Sequence, residues 1–262
     1  MKKTIIALLA ALALAATVAL AACVPGGGGG GNGGNDPTPT PSTDPTPSPE
    51  VKSVTVSELF KYSGIYKDPY QGEVAFSFLT PKVEGPDTDY IFDINAVVQK
   101  ATKEYIDPTI AAMEKGDGIG WNSVEYEAHV VGNMISMCMR WSGIMDKSMF
   151  GFETWLIKPD GTKAENSELF AAKGVTEAQV IAKVRDQLGN LVQKPDYDAI
   201  AQTNGKDMAD MAMDVYNKTF SDANINGHLG YYINDEGHLA VIVKVYSVAD
   251  AEYYYRILDL GF

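Results

Sequence analysis

The residues best suited to proton transfer or metal ligation are three histidines, His129, His228 and His238, and none has a partner at a ligand spacing such as H-x-x-x-H or H-E-x-x-H. Glu125, Glu127 and His129 alternate along a strand-like stretch, so a period of two places all three on one face. That is the most metal-like grouping in the chain, and a solvated polar face is the plainer reading. Carboxylates that cleave sugars stand about 5 to 9.5 Å apart across a cleft, on separate elements. Neighbours two apart on an exposed strand have no reason to titrate at different pH, so the Glu pair is not assigned catalysis. No serine lies in a G-x-S-x-G elbow. Asp160-Gly161 and Asp235-Glu236-Gly237 carry calcium-like letters without the alternating acidic ligands of a calcium loop, and both fall where a hairpin must turn. Gly116-Asp117-Gly118-Ile119-Gly120 precedes a strand, the reverse of the dinucleotide-binding order. If the hairpin closes on residues 234–237, His238 sits across from Ile233 and His228 lies several residues away, so those two would not share a metal. No catalytic, cofactor-binding or metal-binding residue is assigned, and no cofactor is expected.

The cysteines carry a clearer message. Lys2 and Lys3 precede an apolar run, Ile5 to Ala22, broken only by Thr17 and ending in Leu20-Ala21-Ala22-Cys23. Small residues before a cysteine at the end of such a run form a lipobox. Residues 1–22 are therefore expected to be a lipoprotein signal peptide, and Cys23 the lipid attachment point, its sulfur carrying diacylglycerol and its amine a further acyl chain such as palmitate. An uncleaved spanning anchor would leave that cysteine unexplained. Each buried acyl methylene contributes about 0.8 kcal/mol, so two or three chains hold a protein on a bilayer without a spanning helix. The expected location is the outer face of the cytoplasmic membrane, facing the cell wall.

Residues 23–50 then hold the glycine run Gly26 to Gly31 and the repeat Asp36-Pro37-Thr38-Pro39-Thr40-Pro41. Neither can bury apolar surface. Flexible glycine and extended proline segments together reach some ~60 Å, which suits a tether. With Cys23 acylated, Cys138 is the remaining thiol of two, so no intramolecular disulfide forms and the core alone must stabilise the fold. Its setting, Met134-Ile135-Ser136-Met137-Cys138-Met139, reads as a strand, and a structural role is expected.

The formal net charge is −13, and removal of Lys2 and Lys3 with the leader makes the chain more acidic by two. Phosphate neutralisation needs Lys and Arg, so nucleic acid is excluded as the expected partner. The same sign steers in a cationic partner, or simply keeps an exported protein soluble.

The elements that must position these groups read as follows. Glu73 to Leu79 alternates as a strand, and Ile94, Val97, Val98, Ala101 and Tyr105 recur at helical spacing until Pro108 ends or kinks the helix. Ser123 to Val131, Ile135 to Ser142 and Phe150 to Lys158 read as an antiparallel meander. Tyr126, Ala128 and Val130 would point to one side of it, leaving Glu125, Glu127 and His129 on a wet face. The three tryptophans, Trp121, Trp141 and Trp155, fall in or beside the meander, as core or as a ligand platform. Thr176-Glu177-Ala178-Gln179 is a capping box opening a helix with Val180, Ile181, Val184, Leu188 and Leu191 as its stripe. Met208, Met211, Val215 and Phe220 mark another helix, its methionines read as core filler. Leu229 to Ile233 and His238 to Tyr246 form a hairpin, and Ala251 to Leu260 a last strand. Segregated strands and helices predict an α+β fold of antiparallel sheets with packed helices, in two similar-sized halves, 51–163 and 164–262.

Several short segments share one order with a known module. They are Asp93-Ile94-Asn95 opening a helix, Met134 to Met137 in the meander, Asp160-Gly161, Glu168-Leu169-Phe170 before a capped helix, and Tyr231 to Leu239 followed by Val245-Tyr246-Ser247. Over residues 54 to 260 the chain resembles the RsiV-like extracytoplasmic module of a lysozyme-sensing anti-sigma factor, also found ahead of the catalytic domain in a peptidoglycan deacetylase. The resemblance implies an α/β module that binds something at the cell wall, with cationic lysozyme as the anti-sigma relative's partner. No contact residue is carried over. Lacking a cytoplasmic anti-sigma segment and a deacetylase domain, the chain is expected to act as a non-enzymatic binding lipoprotein. Its expected ligand is a cationic lysozyme-type protein or peptidoglycan; the alternatives are an enzyme acting on wall polymer and an envelope structural factor.

Overall fold

The computed structural model describes residues 53–144, 150–227, 230–248 and 253–262. The expected leader 1–22, Cys23, the tether 23–50 and His228 lie outside them. The described residues belong to one compact unit, and among them no helix is long and apolar enough to cross a membrane. The fold is α+β, as its segregated periodicities predict.

A long hairpin opens it. Strand β1 (Thr55–Asp68) pairs antiparallel with β2 (Gly72–Glu84) from Thr55↔Glu84 to Asp68↔Gly72, with a bulge between Glu58 and Phe60. Asp68 makes the corner: its Oδ1 accepts from the Tyr70 and Gln71 amides at 2.8 and 3.0 Å, and its Oδ2 from the Ile119 amide at 2.8 Å. Those amides, Ile119 foremost, hold the buried Asp68 carboxyl below the ordinary carboxylate range although burial opposes them. Sequence reading missed β1, because its alternation is broken by the bulge and most of its residues are exposed.

Helix α1 (Asp89–Ala101) follows, capped by Thr88, whose Oγ1 accepts from the Ile91 amide at 3.3 Å. A π-turn, Thr102–Ile106, carries it into α2 (Asp107–Lys115). The helix therefore runs on through Pro108 instead of ending there, and the change of hydrogen-bond spacing at the π-turn just ahead of it is where the proline's missing N–H is accommodated. Strand β3 (Trp121–Val131) then joins β2 in parallel over Ser77↔Ser123 and Phe78↔Val124. β4 (Met134–Gly143) and β5 (Phe150–Ile157) continue antiparallel, giving one sheet in the order β1-β2-β3-β4-β5.

Helices α3 (Asn166–Ala172), α4 (Glu177–Leu191), α5 (Tyr197–Asn204), α6 (Lys206–Thr219) and α7 (Asp222–Gly227) come next. The expected box caps α4 in both directions: Gln179 N donates to Thr176 Oγ1, and Thr176 N to Gln179 Oε1. The second sheet, β6 (Gly230–Ile233), β7 (Leu239–Tyr246) and β8 (Tyr253–Asp259), is antiparallel throughout.

Period two sorts the side chains into layers. Met137, Met139, Trp155 and Ile157 of the first sheet bury against Ile91, Ile94 and Val98 of α1. The opposite face carries Cys138 and Phe152, which pack with Tyr232, Ala240 and Ile242 of the second sheet. The alternate residues of that sheet, Tyr231, Ile233, Val241, Val243 and Val245, bury with Val180, Val184 and Leu188 of α4. The two sheets approach so closely that a Cβ on Gly230 would lie 2.8 Å from Phe152 and Thr154 side-chain atoms. A buried knot fastens α6 to β7: the Tyr246 amide donates to Thr219 Oγ1 at 3.0 Å, and Asn224 Nδ2 to the carbonyls of Thr219 and Lys244 at 2.8 and 2.9 Å.

The methionine stripe of α6 is a correction. Met208 and Met211 are exposed, and the inward positions are Ala209 and Thr219. The face of α6 that turns inward is the one carrying Ala209 and Thr219, and Thr219 Oγ1 meets the Tyr246 amide there.

Candidate functional site

The face expected to be wet is the place where the two sheets meet. β3–β4 register sets Glu127 across from Cys138 and His129 across from Ser136. The second sheet covers that face, so the Glu127 side chain is only 9% exposed. Burial pushes its carboxyl above the ordinary range, the Arg140 guanidinium pulls it down, and the Asp235 carboxylate adds to the rise. Glu127 Oε1 accepts from Arg140 Nη2, an ion pair on the strand face itself. His129 reaches across instead, its Nε2 standing 3.2 Å from Asp235 Oδ1 in the β6–β7 turn.

Ligand atoms of Glu127, His129 and Asp235 fall within 4.8 Å of one another. The structure thus replaces Glu125 of the expected grouping with Asp235, a residue 106 positions away from His129. Its chemistry is that of an ion-paired seam, because Arg140 already neutralises the one buried carboxylate. Cys138 belongs to the same seam. Burial raises its thiol to about 12, with Arg140 lowering and Glu127 raising it, so it stays a neutral thiol near neutral pH and has the structural setting its strand suggested.

The β6–β7 turn also behaves as read, with Gly237 N donating to Asn234 O at 2.8 Å and Asn234 N to His238 O at 3.0 Å. What the turn reading missed is that Asp235 and Glu236 send their side chains to different histidines. Glu236 Oε2 stands 3.4 Å from His238 Nδ1, and Asp259 Oδ2 stands 3.0 Å from the same nitrogen. No spacing signal marks this group, since Asp259 comes from another strand.

The tryptophans divide as well. Trp155 is core, while Trp121 and Trp141 clasp Tyr105, with ring centroids at 4.6 and 5.3 Å. Trp141 lies over Gly151, its cross-strand partner, where a Cβ would come within 2.1 Å of the indole nitrogen.

A larger opening sits where β2 gives way to α1. Its volume is about 730 Å³, and Glu84, Asp87, Asp89, Ile91 and Phe92 are among the residues that line it, Glu84 being ion-paired with Lys82. Phe92 is 73% exposed, an unusual position for phenylalanine. Two fixtures keep the corner rigid. Asn95 donates to the Val83 carbonyl at 2.8 Å and accepts from its amide at 3.1 Å, and Thr88 Oγ1 donates to the Gly161 carbonyl at 2.7 Å. The Asp160-Gly161 turn is thereby a wall support for this opening.

No family model and no curated protein matches the chain. Among solved structures it is similar to a DUF3298 family protein from Pseudomonas aeruginosa PAO1, at 13% identity over 79% of this chain and 90% of that one, with a TM-score of 0.33. It is similar also to a member of the DUF3298 family from Bacteroides fragilis NCTC 9343, at 13% identity over 80% and 90%, with a TM-score of 0.26.

Proposed function

We propose that this chain is an extracytoplasmic lipoprotein, held at the outer face of the cytoplasmic membrane through lipid on Cys23, whose folded part binds a cationic wall-associated protein of the lysozyme type. The observation that carries the reading is the opening at the β2–α1 corner. Glu84 is ion-paired with Lys82 at 2.6 Å, and Asp87 and Asp89 beside an exposed phenylalanine suit a Lys or Arg side chain flanked by apolar surface on a partner. The acidic net charge adds long-range steering toward the same class of partner.

The test is binding of a fragment from Val51 to Phe262 to a c-type lysozyme, followed by interferometry over a salt series, with purified peptidoglycan as a second ligand. Saturable binding that persists above physiological salt, inhibits the lysozyme and falls at least tenfold in an Asp87→Asn/Asp89→Asn/Phe92→Ala variant supports the proposal. Binding that disappears by about 0.15 M salt, where the Debye length is about 8 Å, reports charge attraction alone and removes the lysozyme reading. Retention on peptidoglycan without lysozyme binding would replace the protein ligand with the polymer.

A further inference from the structure

Two histidine–carboxylate groups flank the β6–β7 turn, and their surroundings separate them. In the first, the Glu127 carboxylate is occupied by the Arg140 guanidinium, which would have to be displaced before a cation could enter. In the second, the Glu236 and Asp259 carboxylates both point at one neutralisable nitrogen, His238 Nδ1, at 3.4 and 3.0 Å. We propose that Glu236, His238 and Asp259 form a binding site for a transition-metal dication of the Zn²⁺ class.

The spacing fits such an ion. A tetrahedral Zn²⁺ site with arms of about 2.0 to 2.2 Å has ligand-to-ligand edges of about 3.3 to 3.6 Å. The two nitrogen-to-oxygen edges observed need to open by no more than a few tenths of an ångström to reach that range. All three ligand atoms already lie within 4.8 Å of one another. The site is reachable: His238 and Asp259 are each 41% exposed at the side chain and Glu236 is 72% exposed, so an ion can enter and water can complete its shell. One imidazole with two carboxylates is a donor set for Zn²⁺ and its neighbours, whereas Ca²⁺ prefers six or more oxygens.

The turn and one of the ligands are also held from behind. Asn234 Oδ1 accepts from the backbone amides of Glu236 and His238 at 3.1 and 2.9 Å, which fixes the turn that carries both residues. Asp259 Oδ1 accepts from the Gly261 amide at 2.8 Å, leaving Oδ2 to the histidine. An outer partner of this kind, as the Gly261 amide is to Asp259, fixes ligand direction and raises metal affinity. With the ion in place, the turn between β6 and β7 is cross-linked to the end of β8.

The experiment uses the full-length chain in detergent, stripped with a chelator and titrated with Zn²⁺ alone by calorimetry, with Co²⁺ absorption as a readout of tetrahedral ligation. The expected result is one saturable ion per chain. Affinity falls at least tenfold in His238→Ala, in Asp259→Asn and in Glu236→Gln, and is unchanged in His129→Ala. Zn²⁺ raises the melting temperature of the parent chain and leaves that of His238→Ala unmoved. Absence of saturable binding overturns the proposal, and so does binding that survives all three ligand variants. Glu236→Gln lies on an exposed turn and keeps the fold, so loss of binding there cannot be blamed on unfolding.

Discussion

Replacement of Ser136 by alanine should loosen the two sheets from one another. β6 is the edge strand of its sheet, and in the Ile233↔Leu239 pair the Ile233 amide points away from β7. It donates instead to Ser136 Oγ at 2.8 Å, and Ser136 is fully buried on β4 of the other sheet. The substitution removes the acceptor and leaves a buried backbone N–H without a partner, which costs about 1 to 3 kcal/mol. Water cannot easily replace it, because Tyr232 and Cys138 close the same interface. For a folded unit of this size each kcal/mol lowers the melting temperature by about 2 to 4 °C, so the expected loss is about 2 to 12 °C. Thermal unfolding by circular dichroism measures the loss, and hydrogen exchange at the Ile233 amide locates it. An unchanged melting temperature together with unchanged exchange at Ile233 would refute the idea that this bond fastens one sheet to the other.

Two further outcomes test the buried groups. Cys138, buried and with its thiol raised to about 12, should react with a thiol reagent at pH 8 only as the fold opens, so labelling of the Val51–Phe262 fragment should be slow in buffer and rapid in denaturant; fast labelling of the native fragment contradicts the packing around β4. Asp68 has a folded pKa below its unfolded one, so its contribution to stability is present above the unfolded value near 3.8 and is lost as pH falls through and below it. The parent chain should therefore lose more stability than Asp68→Asn on acidification from pH 5 to pH 3, and parallel losses in a denaturant series would count against the three-amide account of that corner.

The sequence by itself determined the local elements whose signals are covalently near. The Thr176 box capped α4, the Asp160-Gly161 and Asn234–Gly237 turns closed their hairpins, and the β3–β4–β5 meander followed from alternation and short loops. It also carried the apolar run ending in Leu20-Ala21-Ala22-Cys23 and the acidic balance, which are properties of order and composition. Tertiary structure decided what each polar residue meets. Glu127 and His129 alternate as a solvated face should, and only the docking of a second sheet buries Glu127 and brings Asp235 to His129. Period two says which residues share a face; it carries no information about what covers that face. The same limit hid the grouping of Glu236 and His238 with Asp259, the exposure of Met208 and Met211, and the opening at the β2–α1 corner, since each arises where elements distant in the chain pack side by side.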